Sequence, residues 1–324
     1  MKTLTLNGYL ICAQPVAVSP PDTELPGDDK KSPKRLPRAG YAKSATRYIP
    51  ASTMRHVIRS NVALMIAHAL KKHGGQVSLH EVLALSKGFT ETKKADGKDK
   101  KAAKKTAENA ATVSSKLAFE RELRAKNPLL AMLGAWGLPS ELRVRNAMPI
   151  GDNTYAVTPG GVRKALEDES VAVLDDDDLA QYELKLEEWS KKDKDSVGLK
   201  SVLCGWEEIN SGTKCDWGVQ IHRADQIKTG AVLAALRAFA HDPVIGAHKA
   251  QGRGEVALEL EGSVVEHDLF SSPAAIPIGS VKVGRGVFEA TGQLADDLKA
   301  FDAAAAAGFP EMDFSIIPLG NGEE

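Results

Sequence analysis

The sequence predicts an α+β domain whose core runs strand, helix, strand, strand, helix, strand. Three observations predict it. The chain opens on a period-two alternation, MKTLTLNGYLIC. Two well-punctuated helical segments lie far apart, at 49–75 and around 229–240. Alternating, strand-like stretches flank the second helix on both sides.

Residues 3–11 read as a strand because Leu4, Leu6 and Leu10 share one face while Thr3, Thr5 and Asn7 share the other. A proline-rich, basic loop spans 15–50, a length that suits a functional loop better than a scaffold connection. In IPASTMRHVIRSNVALMIAHALKKHGG, Ser52 is the expected N-cap and Gly74–Gly75 the stop. Met54, Val57, Ile58, Met65 and Ala69 form the buried stripe. Ser52, Arg55 and Arg59 recur at i, i+3 and i+7 on the opposite side. A helix N-terminus bearing a hydroxyl and two guanidinium groups is suited to anions.

SELRVRNAMPIG (140–151) alternates again, with Leu142, Val144, Met148 and Ile150 inward and Arg143 and Arg145 outward together. Strands are expected at 199–209 and 215–223, the latter with Trp217, Val219 and Ile221 on one face. The turn-forming NSGTK between them predicts a hairpin. Thr229 is the expected cap of the second helix, which carries Val232, Leu233, Leu236, Phe239 and Ala240. A glycine-rich loop, IGAHKAQGRGEV (245–256), leads into a strand with Val256, Leu258 and Leu260 on one face. SVKVGRGVFEATG and an Ala-rich helix around 293–307 complete the chain.

This order is a ferredoxin-like, RRM-like βαββαβ core with large insertions. The first part of the core is 1–75 and the Lys-rich helical insertion 76–128. A core strand follows at 129–151, then an acidic excursion at 152–200 with a helix at 178–191. Residues 201–262 form the second part of the core, and 263–324 add the C-terminal strand and helix.

A net charge of −1 conceals segregation. Lys30 to His80 holds 11 Lys or Arg and no Asp or Glu, and residues 87–105 carry eight Lys. Glu167 to Asp195 holds twelve acidic residues against four Lys. Opposite fields on one chain suit a basic groove for a polyanion, or contact between copies. The aromatic share is 5%, so any nucleic-acid surface leans on charge more than on stacking. Cys12, Cys204 and Cys215 form no CxxC and are expected to be reduced. No apolar run approaches the ~18 residues of a membrane span. The N-terminus also lacks the apolar stretch of a signal peptide, so a soluble, cytoplasmic protein is expected.

The glycine loop is basic, since Lys249 and Arg253 stand among Gly246, Gly252 and Gly254. Glycine lets backbone N–H groups approach an anion. A mononucleotide cradle runs strand, glycines, helix, whereas here the helix comes first and the strand second. The loop therefore reads as a contact to a nucleic-acid backbone or as a structural turn. His68, His73 and His80 do not share a helical face at metal-ligand spacing. HExxH, GxSxG and paired CxxC motifs are absent from the sequence. No catalytic residue, metal or cofactor is expected.

Three stretches together resemble the CRISPR-associated RAMP superfamily: IPASTMRHVIRS, PLLAMLGAWGLPSELRVRNAMP, and EEINSGTKCDWGVQIHRADQIKTGAVLAALRAFAHDPVIGAHKAQGRGEV. The resemblance covers 1–12, 48–72, 129–151 and 205–260, and the third stretch is its most distinctive part. It departs at Gly246-Ala247, where the family often has two adjacent glycines. Within the superfamily the chain looks like the guide-RNA-binding backbone subunit of class 1 effector complexes, nearest the type IV branch.

The resemblance implies a RAMP palm with finger (76–128) and thumb (152–200) insertions, and a non-catalytic subunit that multimerises head to tail along a guide RNA. It implies as partners the guide RNA (crRNA), a complementary nucleic-acid target, copies of itself in a helical filament and other effector subunits. Sequence-independent binding calls for phosphate contacts that leave base edges free. The expected contacts are Ser52, Arg55 and Arg59; Arg143 and Arg145; and Gly246, Lys249, Gly252, Arg253 and Gly254. Lys34, Arg35, Arg38, Lys43 and Arg47 are candidates for the guide or the target strand. Two alternatives stand beside this. One is an RNA endonuclease of the same superfamily using Asp22, Asp28 or Asp29. The other is a ferredoxin-like domain that binds a small ligand or a protein and no nucleic acid.

Overall fold

The structure is a computed structural model. It describes residues 2–18, 36–39, 45–74, 85–86, 113–135, 138–158, 162–164, 177, 180–181, 184, 200–202, 206–266 and 274–314. Most of the expected insertions at 76–128 and 152–200 lie outside these residues, as does Cys204; of the expected helix at 178–191 only 180–181 and 184 are described, and these are helical.

Strand β1 (Lys2–Cys12) lies within an antiparallel sheet, paired on one side with β8 (Lys214–His222) and on the other with β9 (Val256–Glu266). β2 (Leu142–Val144) and β3 (Met148–Pro149) both add to the far edge of β8. Beyond β9 the sheet continues through β10 (Ala275–Gly284) and β11 (Val287–Ala290). The order β9–β1–β8–β2 places the fourth, first, third and second core strands side by side. That is the ferredoxin-like plan of an α+β fold, and the β10–β11 hairpin widens it.

One face of the sheet is closed by helices. Leu4, Leu6 and Leu10 of β1 share it with Trp217, Val219 and Ile221 of β8 and with Leu258, Leu260 and Val264 of β9, all buried. They join a single core with α1 (Ala51–Lys72), α4 (Gln226–Phe239) and α5 (Gln293–Ala306). Two further helices, α2 (Val113–Lys126) and α3 (Pro128–Leu133), precede β2. α3 starts on Asn127, whose Oδ1 accepts from Leu130 N at 2.9 Å.

Both expected caps shift. Pro50, not Ser52, stands at the N-cap of α1 and offers no side-chain bond. The acceptor comes from outside the helix, where Asn146 Oδ1 takes the Ala51 N–H at 2.8 Å. Ser52 lies within the first turn, exposed. In α4 the cap is Asp225, whose Oδ1 accepts from Lys228 N at 2.8 Å, while Thr229 is buried inside the helix. The carboxylate takes the cap because it sits in extended backbone three residues before the amide it binds.

The expected hairpin across NSGTK also resolves differently. The turn forms, with Gly212 at φ +80°. The strands it joins then part into two sheets. β7 (Trp206–Ile209) pairs with β4 (Tyr155–Thr158), whereas β8 pairs with β1. β7 has a better partner because Val16, just past β1, bridges Ile209 on its other edge through N–H···O bonds of 2.9 and 2.8 Å. A small ribbon of β5 (Val162–Lys164) and β6 (Lys200–Val202) forms a third sheet.

α4 and α5 meet at backbone distance. A Cβ on Gly230 would lie 2.2 Å from the Asp297 carbonyl, so the contact admits only glycine. The Arg237–Asp302 pair closes the seam with two bonds of 2.8 and 2.7 Å. Asp297 itself is buried and its Oδ1 lacks a hydrogen-bond partner. Burial pushes its carboxyl up to about 6, against the opposing pull of Lys2 and with help from Asp296 and Asp225. A carboxyl raised in the folded state binds its proton more tightly there than in the unfolded chain. Its stabilising contribution is present below pH ~4 and lost as pH rises through about 6. Asp297→Asn is therefore expected to raise stability by about 3 kcal/mol at pH 8 and by well under ~1 kcal/mol at pH 4. Denaturant melts at the two pH values check this; an equal shift at both would remove the titration argument.

Candidate nucleic-acid interface

The sheet face opposite the helices carries the alternate residues of each strand. Cross-strand register arranges them in rows. Arg143, Gln220, Thr5 and Ser263 form one row. Arg145 backs onto Gly218, followed by Asn7 and Glu261. Asp216, Tyr9, Glu259, Lys282 and Glu289 form a third. Thr3 and Thr5 are buried, so along β1 this face opens only from Asn7 onward. Positive charge collects at the β2 edge and negative charge over β9 and β11.

The two arginines on the edge differ in commitment. Arg143 is exposed. Arg145 is 45% exposed in its side chain, and its Nη2 lies 3.2 Å from both Asp216 Oδ1 and Asn7 Oδ1. A half-exposed ion pair of this kind contributes little to stability and can be exchanged for another anion.

Most other expected contacts are committed inside the protein. Arg59 was expected on the outer face of α1 beside Arg55. It is buried instead, donating to the carbonyls of Leu85 at 2.6 Å, of Leu133 at 2.7 Å and of Gly134. Two of those carbonyls close the C-terminus of α3, where a cation satisfies unpaired acceptors. Burial, with the nearby charge of Arg55, pushes the Arg59 guanidinium down to about 10. Arg55 and Ser52 remain exposed.

Arg38 and Arg47 of the basic loop are likewise drawn inward. Both reach Glu207 Oε1, at 2.8 and 3.2 Å, and Leu36 N–H donates to Glu207 Oε2 at 3.0 Å. Arg47 also lies flat over Tyr155, 3.8 Å from its centroid. Burial pushes the Glu207 carboxyl up, but the bonds from Arg47, Leu36 and Arg38 outweigh it and hold the group below its ordinary range. Lys34, Arg35 and Lys43 lie outside the described residues, as do Asp22, Asp28 and Asp29 of the endonuclease alternative.

The glycine loop is a packed turn. Gly246 (φ +79°) and Gly254 (φ +88°) both need left-handed backbone, and an added Cβ would meet the carbonyls of Ala17 at 2.2 Å and Ile245 at 2.1 Å. Its amides donate inward: Ala247 to Ala17, Gly252 to Lys249, and Gly254 to Pro15. Gly252 closes a 3-10 turn over Lys249–Gln251. Arg253 pairs with Glu208 and stands 5.4 Å over Trp206, which also stacks on His248. Lys249 alone of the loop cations points out, exposed.

Sequence reasoning missed Tyr9 and Lys214. Tyr9 is 42% exposed, and Lys214 Nζ lies 5.5 Å from its ring centroid. The available signal was the alternation of β1, which puts Tyr9 on the same face as Asn7. Among the described residues no cluster of three His, Cys, Asp or Glu could hold a metal, and no helix is long and apolar enough to cross a membrane. Cys12 and Cys215 are buried free thiols. The Cys12 thiol is pushed up by its hydrogen bond with Cys215 and by burial.

These features define a ferredoxin-like α+β protein with one charged, open sheet face. No protein-family model matches the chain, and no curated protein matches it. Among solved structures it is similar to a chain of a "Type IV-B CRISPR Complex", at 14% identity and a TM-score of 0.41, over 84% of this chain and 93% of that one.

Replacing Glu207 by Ala leaves the buried Arg47 and the partly buried Arg38 guanidinium groups without their shared carboxylate. We expect a loss of about 3 kcal/mol at pH 7 and faster amide exchange across 36–39 and 45–49. Because the carboxyl is depressed in the folded state, its contribution is present above pH ~4 and fades as pH falls further. Wild type and variant should therefore converge in acid. Hydrogen exchange followed by mass spectrometry, with melts at both pH values, reads all three effects.

Proposed function

We propose that this chain is a non-catalytic backbone subunit of a CRISPR RNA-guided complex, nearest the type IV branch. In this reading it binds guide RNA by its phosphates, multimerises head to tail and presents the guide to a complementary target. The observation that carries it is the exposed Arg143–Arg145 pair on the edge of an open antiparallel sheet. The stretch that contains the pair is also one of those that resemble the RAMP superfamily. Guanidinium groups on an open surface make contacts that hold a backbone without reading bases. Ser52 and Arg55 at the start of α1 and Lys249 beyond the glycine loop are the further exposed contacts. Arg38, Arg47 and Arg59 act in this reading as internal ties.

Single-stranded RNA binding weakens with salt in proportion to the phosphates neutralised, with a slope of about −0.7 per contact. Arg143→Ala with Arg145→Ala is expected to weaken binding about equally for all guide sequences. It should flatten the log–log salt slope by about 1.4. Unchanged affinity across the titration would take the pair off the interface. The reading as a whole is tested by purifying the protein from cells that co-express a repeat–spacer array and treating it with nuclease. Protected RNA in an evenly spaced ladder supports repeated subunits along a guide. Monomeric protein without RNA would favour the small-ligand or protein-binding alternative.

A further inference from the structure

Tyr9 sits where β1 meets an open groove of about 660 Å³. Lys214, Thr213, Asn210, Thr154, Asp152 and Ile150 line it. The ring is 42% exposed in the middle of a sheet, and Ile150 beside it is 52% exposed. Tyr9 belongs to the same outer face as Arg145, two residues along β1 from Asn7, which Arg145 contacts. Charge around the ring is lopsided. Lys214 and Arg145 stand on the β8 and β2 side, where Asp216, directly across from Tyr9 on β8, is paired with Arg145, whereas Glu259 lies directly across from Tyr9 on β9 and Glu261 across from Asn7.

Resting on the RNA-binding reading above, we propose that Tyr9 is a stacking platform for one nucleobase of a single-stranded RNA. The adjoining phosphates run over Lys214 and Arg145 and away from Glu259 and Glu261. Aromatic faces on an open sheet accept any base, because every base presents a π-face. Stacking therefore adds affinity without sequence preference, as guide binding requires. The carboxylates of β9 repel a phosphate chain, whereas Asp216 on the other side is offset by its pair with Arg145, and this sets the side of the ring on which the backbone passes. The groove lining supplies hydroxyl and amide groups from Thr154, Asn210 and Thr213 to meet a ribose or base edge.

The test uses the full chain and a fluorescein-labelled single-stranded oligouridine, read by anisotropy over a salt series. Tyr9→Ala is expected to weaken binding about tenfold with an unchanged salt slope, because stacking releases no counterions. Tyr9→Phe should stay within about twofold of wild type. Lys214→Ala should instead flatten the slope by about 0.7. The side chain is exposed, and a thermal melt of each variant confirms that the fold is kept. If Tyr9→Ala binds as tightly as wild type while the Arg143/Arg145 double variant does not, the platform is wrong and the RNA-binding reading stands. Failure of the wild-type protein to bind the oligonucleotide at any salt concentration would overturn both.

Discussion

Two adjacent carboxylates on one short strand hold the periphery of this fold to its core. Glu207 and Glu208 point to opposite sides of β7, as successive strand residues must. Glu207 gathers Arg38, Arg47 and the Leu36 amide. Glu208 gathers Arg253, Thr158 and the Trp206 indole. One dipeptide thereby fixes part of the basic loop, the root of the acidic excursion and the glycine loop. Both side chains are buried or nearly so, and their strength comes from multiple donors rather than from a single contact.

That arrangement redistributes charge. The basic run from Lys30 to His80 contains no acid in sequence, yet its described cations Arg38 and Arg47 are neutralised by a residue about 160 positions downstream. Arg59 is absorbed by backbone carbonyls. What stays available on the β8 and β2 part of the open sheet face is a smaller set: Arg143 fully, Arg145 through an exchangeable pair, and Lys214 beside Tyr9. On the opposite half Glu259, Glu261 and Glu289 outnumber Lys282. The face is therefore polar across its strands, and a polyanion meets attraction at one edge and repulsion at the other.

The local rules were legible in the sequence where the period was clean. The apolar faces of β1, β8, β9 and α4, and the Ala-rich helix α5, follow directly from alternation and helical spacing. Pairing was less legible. NSGTK forms its turn, but Val16 and Tyr155–Thr158 compete for β7, and nothing local to 206–222 reveals that. Arg59 had a readable signal that charge obscured. It lies three and four residues before Val62 and Ala63, inside the apolar arc of α1. In sequence the glycines of 245–256 suit either an anion contact or a structural turn, and the carbonyls of Ala17 and Ile245 that require them are visible only in three dimensions.

The parting of β7 and β8 has a mechanical consequence. The chain between β4 and β7 leaves and re-enters the core through two antiparallel strands whose outermost pair is Thr158 and Trp206. A pull on that segment loads the ladder from its open end, so its hydrogen bonds yield one pair at a time. Resistance then lies in the side chains at that first pair and at Glu208, two residues further in. The Trp206–His248 stack, the Thr158–Glu208 bond and the Arg253–Glu208 pair have to give way together before the zipper can run. The glycine loop, which supplies both His248 and Arg253, is in this sense a latch on the hinge of the excursion.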